Sequence, residues 1–201
     1  MTSVTMILWL DLLGTFVFAL SGAMLAVRRS LDLFGVMVLA VAAGLAGGLI
    51  RDVSLDASPP AALDGMRYLI TALAAAVAAF FGHRAIERLN RPVMLLDAMG
   101  LGLFTITGCQ KALAYGLDPL PAVVLGVLSA IGGGVLRDLL VADVPRVLRE
   151  EVYALAAGVF VLGKAFLFPE PHLTMSAIAL TVILRIVSVW LGWRAPKAPG
   201  S

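Results

Sequence analysis

Two short stretches combine residue types that an apolar chain carries only at a cost. Leu45-Ala-Gly-Gly-Leu-Ile-Arg-Asp52 and Ile131-Gly-Gly-Gly-Val-Leu-Arg-Asp138 each set glycines one helical turn ahead of an arginine and an aspartate. Glycine is about 1 kcal/mol worse than alanine inside a helix, and paired glycines are a recognised cause of kinks. Ionisable groups inside or at the edge of an apolar span are expensive and default to a functional role. Together these residues suit the handling of a hard, weakly held cation such as potassium. Carbonyl oxygens would turn inward where glycine loosens the backbone, and carboxylates would flank them. A plainer reading stands beside this one. Glycines let membrane helices pack closely, and span-end arginines pair with neighbouring aspartates or snorkel to the interface.

Composition says what surrounds these motifs. The chain has 201 residues, is 61% hydrophobic and carries only 14% charged residues, where a soluble domain has about 25% charge. Several apolar runs reach about 18–22 residues, the length that spans a hydrocarbon core. The sequence therefore describes an all-α polytopic membrane protein in contact with lipid. The net charge of +2 reflects arginines in loops and does not imply nucleic acid. Cys109 is the only cysteine, so there is neither a disulfide framework nor a Cys-based metal site. No phosphate loop, nucleophile elbow or zinc spacing occurs. The reading is therefore not an enzyme, with no cofactor and no tight metal site.

Seven spans are expected, at residues 6–27, 33–53, 66–82, 93–115, 122–140, 152–168 and 173–193. Turns fall at Ser54 to Pro60, at Asp118-Pro119-Leu-Pro121 and at Pro169-Glu-Pro171, by their Pro and Asp content. The first span is retained, because it lacks a basic leader and Asp11 interrupts it.

The two motifs belong to a longer repeat. At an offset of 86 residues Asp11 falls on Asp97, Gly14 on Gly100, Phe18 on Phe104, Gly22 on Gly108, Gly47 on Gly133, Gly48 on Gly134, Arg51 on Arg137 and Asp52 on Asp138. No gap is needed between Asp11 and Pro59. The chain is one membrane domain: residues 6–82 form the first repeat, residues 93–168 the second, and residues 173–193 an extra helix. Three spans per repeat make the second enter the membrane from the opposite side, an inverted repeat. Loop charge sets the orientation. About ten Lys/Arg lie on one side and about four on the other, so the positive-inside rule puts the C-terminus in the cytoplasm and the N-terminus outside.

The site residues follow. Gly47, Gly48, Gly132, Gly133 and Gly134 are the pore or kink positions. Asp11, Arg51, Asp52, Asp97, Lys111, Arg137, Asp138 and Arg185 are pore-mouth or gating charges. Lys111 and Lys164 lie near an interface where snorkelling is the default. Arg185 is too deep for an easy exit.

Seven spans, a three-plus-three repeat and twin Gly-Gly-x-x-Arg-Asp motifs resemble the prokaryotic trimeric intracellular cation (TRIC) channel family, also catalogued as putative glycine transporters. The resemblance covers about residues 6–193, and its most specific parts are Ala46 to Asp52 and Gly132 to Asp138. It implies a homotrimer in a prokaryotic inner membrane, with a separate pore in each protomer that conducts potassium and sodium. It also implies that spans 2 and 5 kink at their glycines. Ala46 stands where the second repeat has Gly132, so the first kink is the weaker. The basic motif that binds a phosphoinositide in animal members is absent, and lipid regulation is not carried over. Two other readings remain: a secondary transporter of glycine or a similar zwitterion, which inverted repeats serve equally well, and a structural membrane protein.

Overall fold

The computed structural model describes residues 3–86, 92–149 and 170–190. They form α1 (Ser3–Arg28), α2 (Leu33–Ser54), α3 (Arg67–Ile86), α4 (Pro92–Ala114), α5 (Pro119–Leu140), a short 3-10 turn (Arg146–Arg149) and α6 (Glu170–Trp190). The protein is all-helical, and α1 to α5 are each long and apolar enough to cross a membrane. The expected span at residues 152–168, with Lys164, lies outside the described residues.

A helix that is apolar all round belongs in a protein core or a bilayer, and here the helices divide between the two. The most apolar windows of α1 and α4 are 72% and 83% buried inside the protein, against 22% for α3. So α1 and α4 form the central pair, with α2, α3, α5 and α6 packed around them. The outer surface carries large apolar side chains such as Phe34, Phe81 and Leu120. Exposed apolar surface on that scale marks an apolar environment outside the protein.

Helix direction follows from contacts along the central pair. Asp11, early in α1, meets Thr107, late in α4; Ser21, late in α1, meets Asp97, early in α4. The two helices are therefore antiparallel. The same holds for α2 and α5, where Gly47 faces Ser129 and Gly133 faces Ala43.

Local signals fix the helix ends. Asp32 caps α2, its Oδ1 accepting a hydrogen bond from the Gly35 N–H at 2.8 Å. Gly116 (φ +86°) closes the end of α4 in the left-handed region, which glycine enters without a Cβ penalty. The expected turn at residues 118–121 is corrected: Pro119 and Pro121 lie in the first turn of α5. Proline is tolerated there because that N–H has no partner within the helix anyway.

Candidate functional site

The charged residues of the two repeats gather into two buried clusters. In the first, Arg51 of α2 donates from Nη1 and Nη2 to Asp11 Oδ1 (2.7 Å) and Oδ2 (2.8 Å), and from Nε to Asp52 Oδ1 (2.7 Å). Tyr68 Oη and Thr107 Oγ1 complete the shell of Asp11, at 3.2 and 3.1 Å. Lys111 Nζ donates to Asp52 Oδ1 at 2.8 Å, and the Ala61 N–H to Asp52 Oδ2 at 2.8 Å. Lys111 therefore reaches inward to a carboxylate and does not snorkel.

The second cluster repeats this plan 86 residues on. Arg137 of α5 donates from Nη1 and Nη2 to the two oxygens of Asp97, and from Nε to Asp138 Oδ1 (2.9 Å). Ser21 Oγ donates to Asp97 Oδ1 at 2.7 Å, and the Arg146 N–H to Asp138 Oδ2 at 3.0 Å. Arg146 also brings Nη1 to 3.8 Å from Asp97 Oδ2. Arg51 and Arg137 are both 1% exposed, deep enough that an unpaired guanidinium would be prohibitive. Each cluster balances two carboxylates against two cations. Measured along α1 from Asp11 to Ser21, at about 1.5 Å per residue, the clusters lie roughly 15 Å apart. That is about half the thickness of a hydrocarbon core.

The contacts between repeats are reciprocal. Asp11 takes its hydroxyl from Thr107, and Asp97 takes its own from Ser21, which is Thr107's counterpart at the 86-residue offset. Phe18 stacks on its own counterpart Phe104, with ring centroids 5.5 Å apart. An added Cβ at Gly14 would touch the Phe104 ring, and one at Gly100 the Phe18 ring.

The five glycines separate into two groups. A Cβ on Gly47 would fall 2.1 Å from the Ser129 carbonyl oxygen, and one on Gly133 would fall 2.3 Å from the Ala43 oxygen. Gly132 would press on Ile50 Cδ1 at 2.6 Å. These three let α2 and α5 cross at backbone contact. Gly134 faces open space, with nothing within 4 Å of an added Cβ, whereas Gly48 is buried and a Cβ there would meet Arg51 Nη2 at 3.8 Å. Both helices remain helical through their glycines. A pocket opens beside Gly134, lined also by Phe18, Asp97, Arg137, Asp138 and Arg146. Arg185 lies on α6, away from both motifs in sequence, and its side chain is outside the described residues. Among the described residues no group of three His, Cys, Asp or Glu is placed to hold a metal ion.

Four participants were not singled out from the sequence: Ser21, Tyr68, Thr107 and Arg146. The signal for two of them was present, since Ser21 and Thr107 are both hydroxyl residues at the repeat offset. Arg146 read only as a loop charge.

A bundle of apolar helices around two self-neutralising ion clusters is a polytopic membrane protein whose buried charges bind one another. The chain belongs to the family described as glycine transporter, which matches it twice, over residues 8–84 and 94–169. The two matches begin at the same 86-residue offset as the motifs. Among its relatives is a UPF0126 membrane protein of Deinococcus radiodurans, 45% identical over 169 residues, covering 83% of this chain and 77% of that one. Another is the UPF0126 inner membrane protein YadS of Escherichia coli, 36% identical over 192 residues, covering 94% and 93%. Solved structures extend the likeness to the fold. A TRIC trimeric intracellular cation channel orthologue from Rhodobacter sphaeroides superposes with a TM-score of 0.88 at 34% identity, over 94% of this chain and all of that one. A prokaryotic TRIC channel crystallised in 0.5 M KCl superposes at 0.85 with 29% identity, over 94% and 98%. The resemblance carried by the twin motifs thus holds across the fold.

Proposed function

We propose that this protein is a passive channel for monovalent cations, potassium and sodium, with a separate path through each protomer of a homotrimer, beside α2 and α5. The observation that carries the reading is the TM-score of 0.88 over 94% of the chain to a protein described as a TRIC cation channel orthologue. Site geometry supports it. Gly134 presents backbone without a side chain to open space. Buried carboxylate clusters lie toward either end of α1, and a pocket beside Gly134 adjoins the second of them.

The topology belongs to the same proposal. Antiparallel α1/α4 and α2/α5, with Phe18 stacked on its own counterpart, fit an inverted repeat about an axis near that ring pair. The seven-span count expected from the sequence includes residues 152–168, which lie outside the described residues. Loop charge favours a cytoplasmic C-terminus in a prokaryotic inner membrane. The E. coli relative is described as an inner membrane protein.

The family description favours a second reading, a transporter of glycine or a similar zwitterion. It needs an arginine for the carboxylate and an aspartate for the ammonium. Yet Arg51 and Arg137 already place Nε and both Nη atoms on aspartates. Binding substrate there would mean breaking a buried pair, at about 3–5 kcal/mol.

Planar-bilayer recording of the purified protein in asymmetric potassium chloride, with and without glycine, separates the two. Unitary currents reversing near the potassium potential are expected. Silence in the bilayer together with saturable glycine uptake into proteoliposomes would overturn the channel reading.

A further inference from the structure

We propose that Arg146 is a gating residue: its guanidinium is a tethered cation held against Asp97 in the place a permeant cation would take. The proposal rests on the channel reading above and goes beyond it to the control of one end of the path.

The two arginines facing Asp97 are held differently. Arg137 is buried, donates to both carboxylate oxygens and is locked by Asp138 as well. Arg146 approaches Asp97 Oδ2 only to 3.8 Å, beyond hydrogen-bond range, and its side chain is 42% exposed. Its backbone is fixed where its side chain is not, because the Arg146 N–H is bonded to Asp138 Oδ2. The side chain can therefore swing about an anchored Cα, into the pocket it shares with Asp97 and Gly134 or out of it. Asp143, the acidic group nearest in the same loop, does not compete for it. That carboxylate is held by Arg29 at 2.8 Å.

Charge balance gives the swing a consequence. With Arg146 in place, two carboxylates face two guanidiniums. With Arg146 swung out, the pocket carries one net negative charge and concentrates cations. Among the described residues the first cluster has no equivalent device. The residue 86 positions earlier is Pro60, and the outer cation there, Lys111, is hydrogen-bonded at 2.8 Å and only 19% exposed.

The test is single-channel recording of the full-length protein at about 0.05 M and about 1 M potassium chloride, where the Debye length falls from above 10 Å to about 3 Å. One unit charge about 6 Å away in water changes local cation concentration about threefold. Arg146→Gln is therefore expected to raise conductance about threefold at low salt and hardly at all at high salt, while Arg146→Lys behaves as the wild type. A second measurement works within one folded protein. Arg146→Cys is recorded before and after a cationic or an anionic methanethiosulfonate reagent, with the wild type as control for the buried Cys109. The cationic adduct should lower the current and the anionic adduct raise it. Equal currents from the two adducts, or superposed wild-type and Arg146→Gln curves at both salts, overturn the proposal while leaving the channel reading intact. No unitary current from the wild type overturns both.

Discussion

Gly133 and Gly134 are neighbours on one helix and should answer the same substitution with opposite sign. Alanine at either position gains about 1 kcal/mol of helix propensity, so the difference between the variants isolates what the new methyl meets. On Gly133 it would fall 2.3 Å from the Ala43 carbonyl oxygen, about 1 Å inside the closest ordinary C···O approach. That oxygen is backbone in the middle of α2, so α2 and α5 must part. Overpacking of this kind costs about 1–3 kcal/mol, and rigid backbone belongs at the upper end. On Gly134 the methyl meets nothing within 4 Å. The variants should differ by about 3 kcal/mol, which for a chain of this size is roughly 6–12 °C in Tm. Gly133→Ala melts below the wild type and Gly134→Ala at or above it. Gly132→Ala falls between them, because it meets only the flexible Cδ1 of Ile50. Thermal unfolding in detergent, followed by far-UV circular dichroism, reads the series. Melting temperatures of Gly133→Ala and Gly134→Ala that agree within about 2 °C, on the same scaling, would refute the assignment of Gly133 to the crossing.

Asp11→Asn and Asp97→Asn each leave a buried guanidinium short of its counter-charge, which costs about 3–5 kcal/mol; both should lose the monodisperse peak in detergent chromatography. Lys111→Met should be milder, about 1 kcal/mol by thermal melt, because Asp52 keeps Arg51 Nε and the Ala61 N–H. Asp32→Ala should cost about 1 kcal/mol as a lost helix cap, whereas Asp118→Ala, which removes no side-chain capping bond, should stay within about 0.5 kcal/mol. A double-mutant cycle on Phe18→Leu and Phe104→Leu should return a coupling of about 0.5–1.5 kcal/mol for the stacked rings; zero coupling would count against that contact.

The elements were legible because each apolar run is bounded by charge, proline or glycine, and the helices start and end within a few residues of the expected spans. The errors came where one residue type has two local meanings. Pro119 and Pro121 read as a turn and prove to be a helix start. Lys111 read as an interfacial side chain and proves to be a ligand of Asp52. The glycines show the same limit: pairing marks Gly133 and Gly134 alike, but only the neighbouring helix distinguishes a crossing from an opening. What was legible within the site came from the repeat. An offset that matches Asp, Arg and Asp carries information about partners, and applied to hydroxyl residues it also yields Ser21 and Thr107. Tyr68 and Arg146 have no such signal, because their counterparts at that offset are Ala154 and Pro60.

The exchange of hydroxyls between the clusters makes the two repeats mutually dependent. Asp11 and its arginine both belong to the first repeat, yet the carboxylate is completed by Thr107 of the second. Asp97 and Arg137 belong to the second, yet Ser21 of the first completes them. Breaking either shell exposes a buried ion pair to incomplete hydrogen bonding, the condition under which such pairs become liabilities. The ion pairs therefore specify an arrangement more than they stabilise it. A slip of α1 against α4 by one turn, about 5.4 Å, would strip the hydroxyl from both aspartates at once and would take the Phe18 and Phe104 rings off Gly100 and Gly14. The α2/α5 contact has the opposite character. It sets glycine backbone of one helix against carbonyl oxygens of the other, contacts worth only about 0.5–1 kcal/mol each, with the Ser129 hydroxyl donating across it to the Gly47 carbonyl oxygen at 3.2 Å. The fold thus joins a register fixed by charge along α1 and α4 to a close, uncharged crossing between α2 and α5.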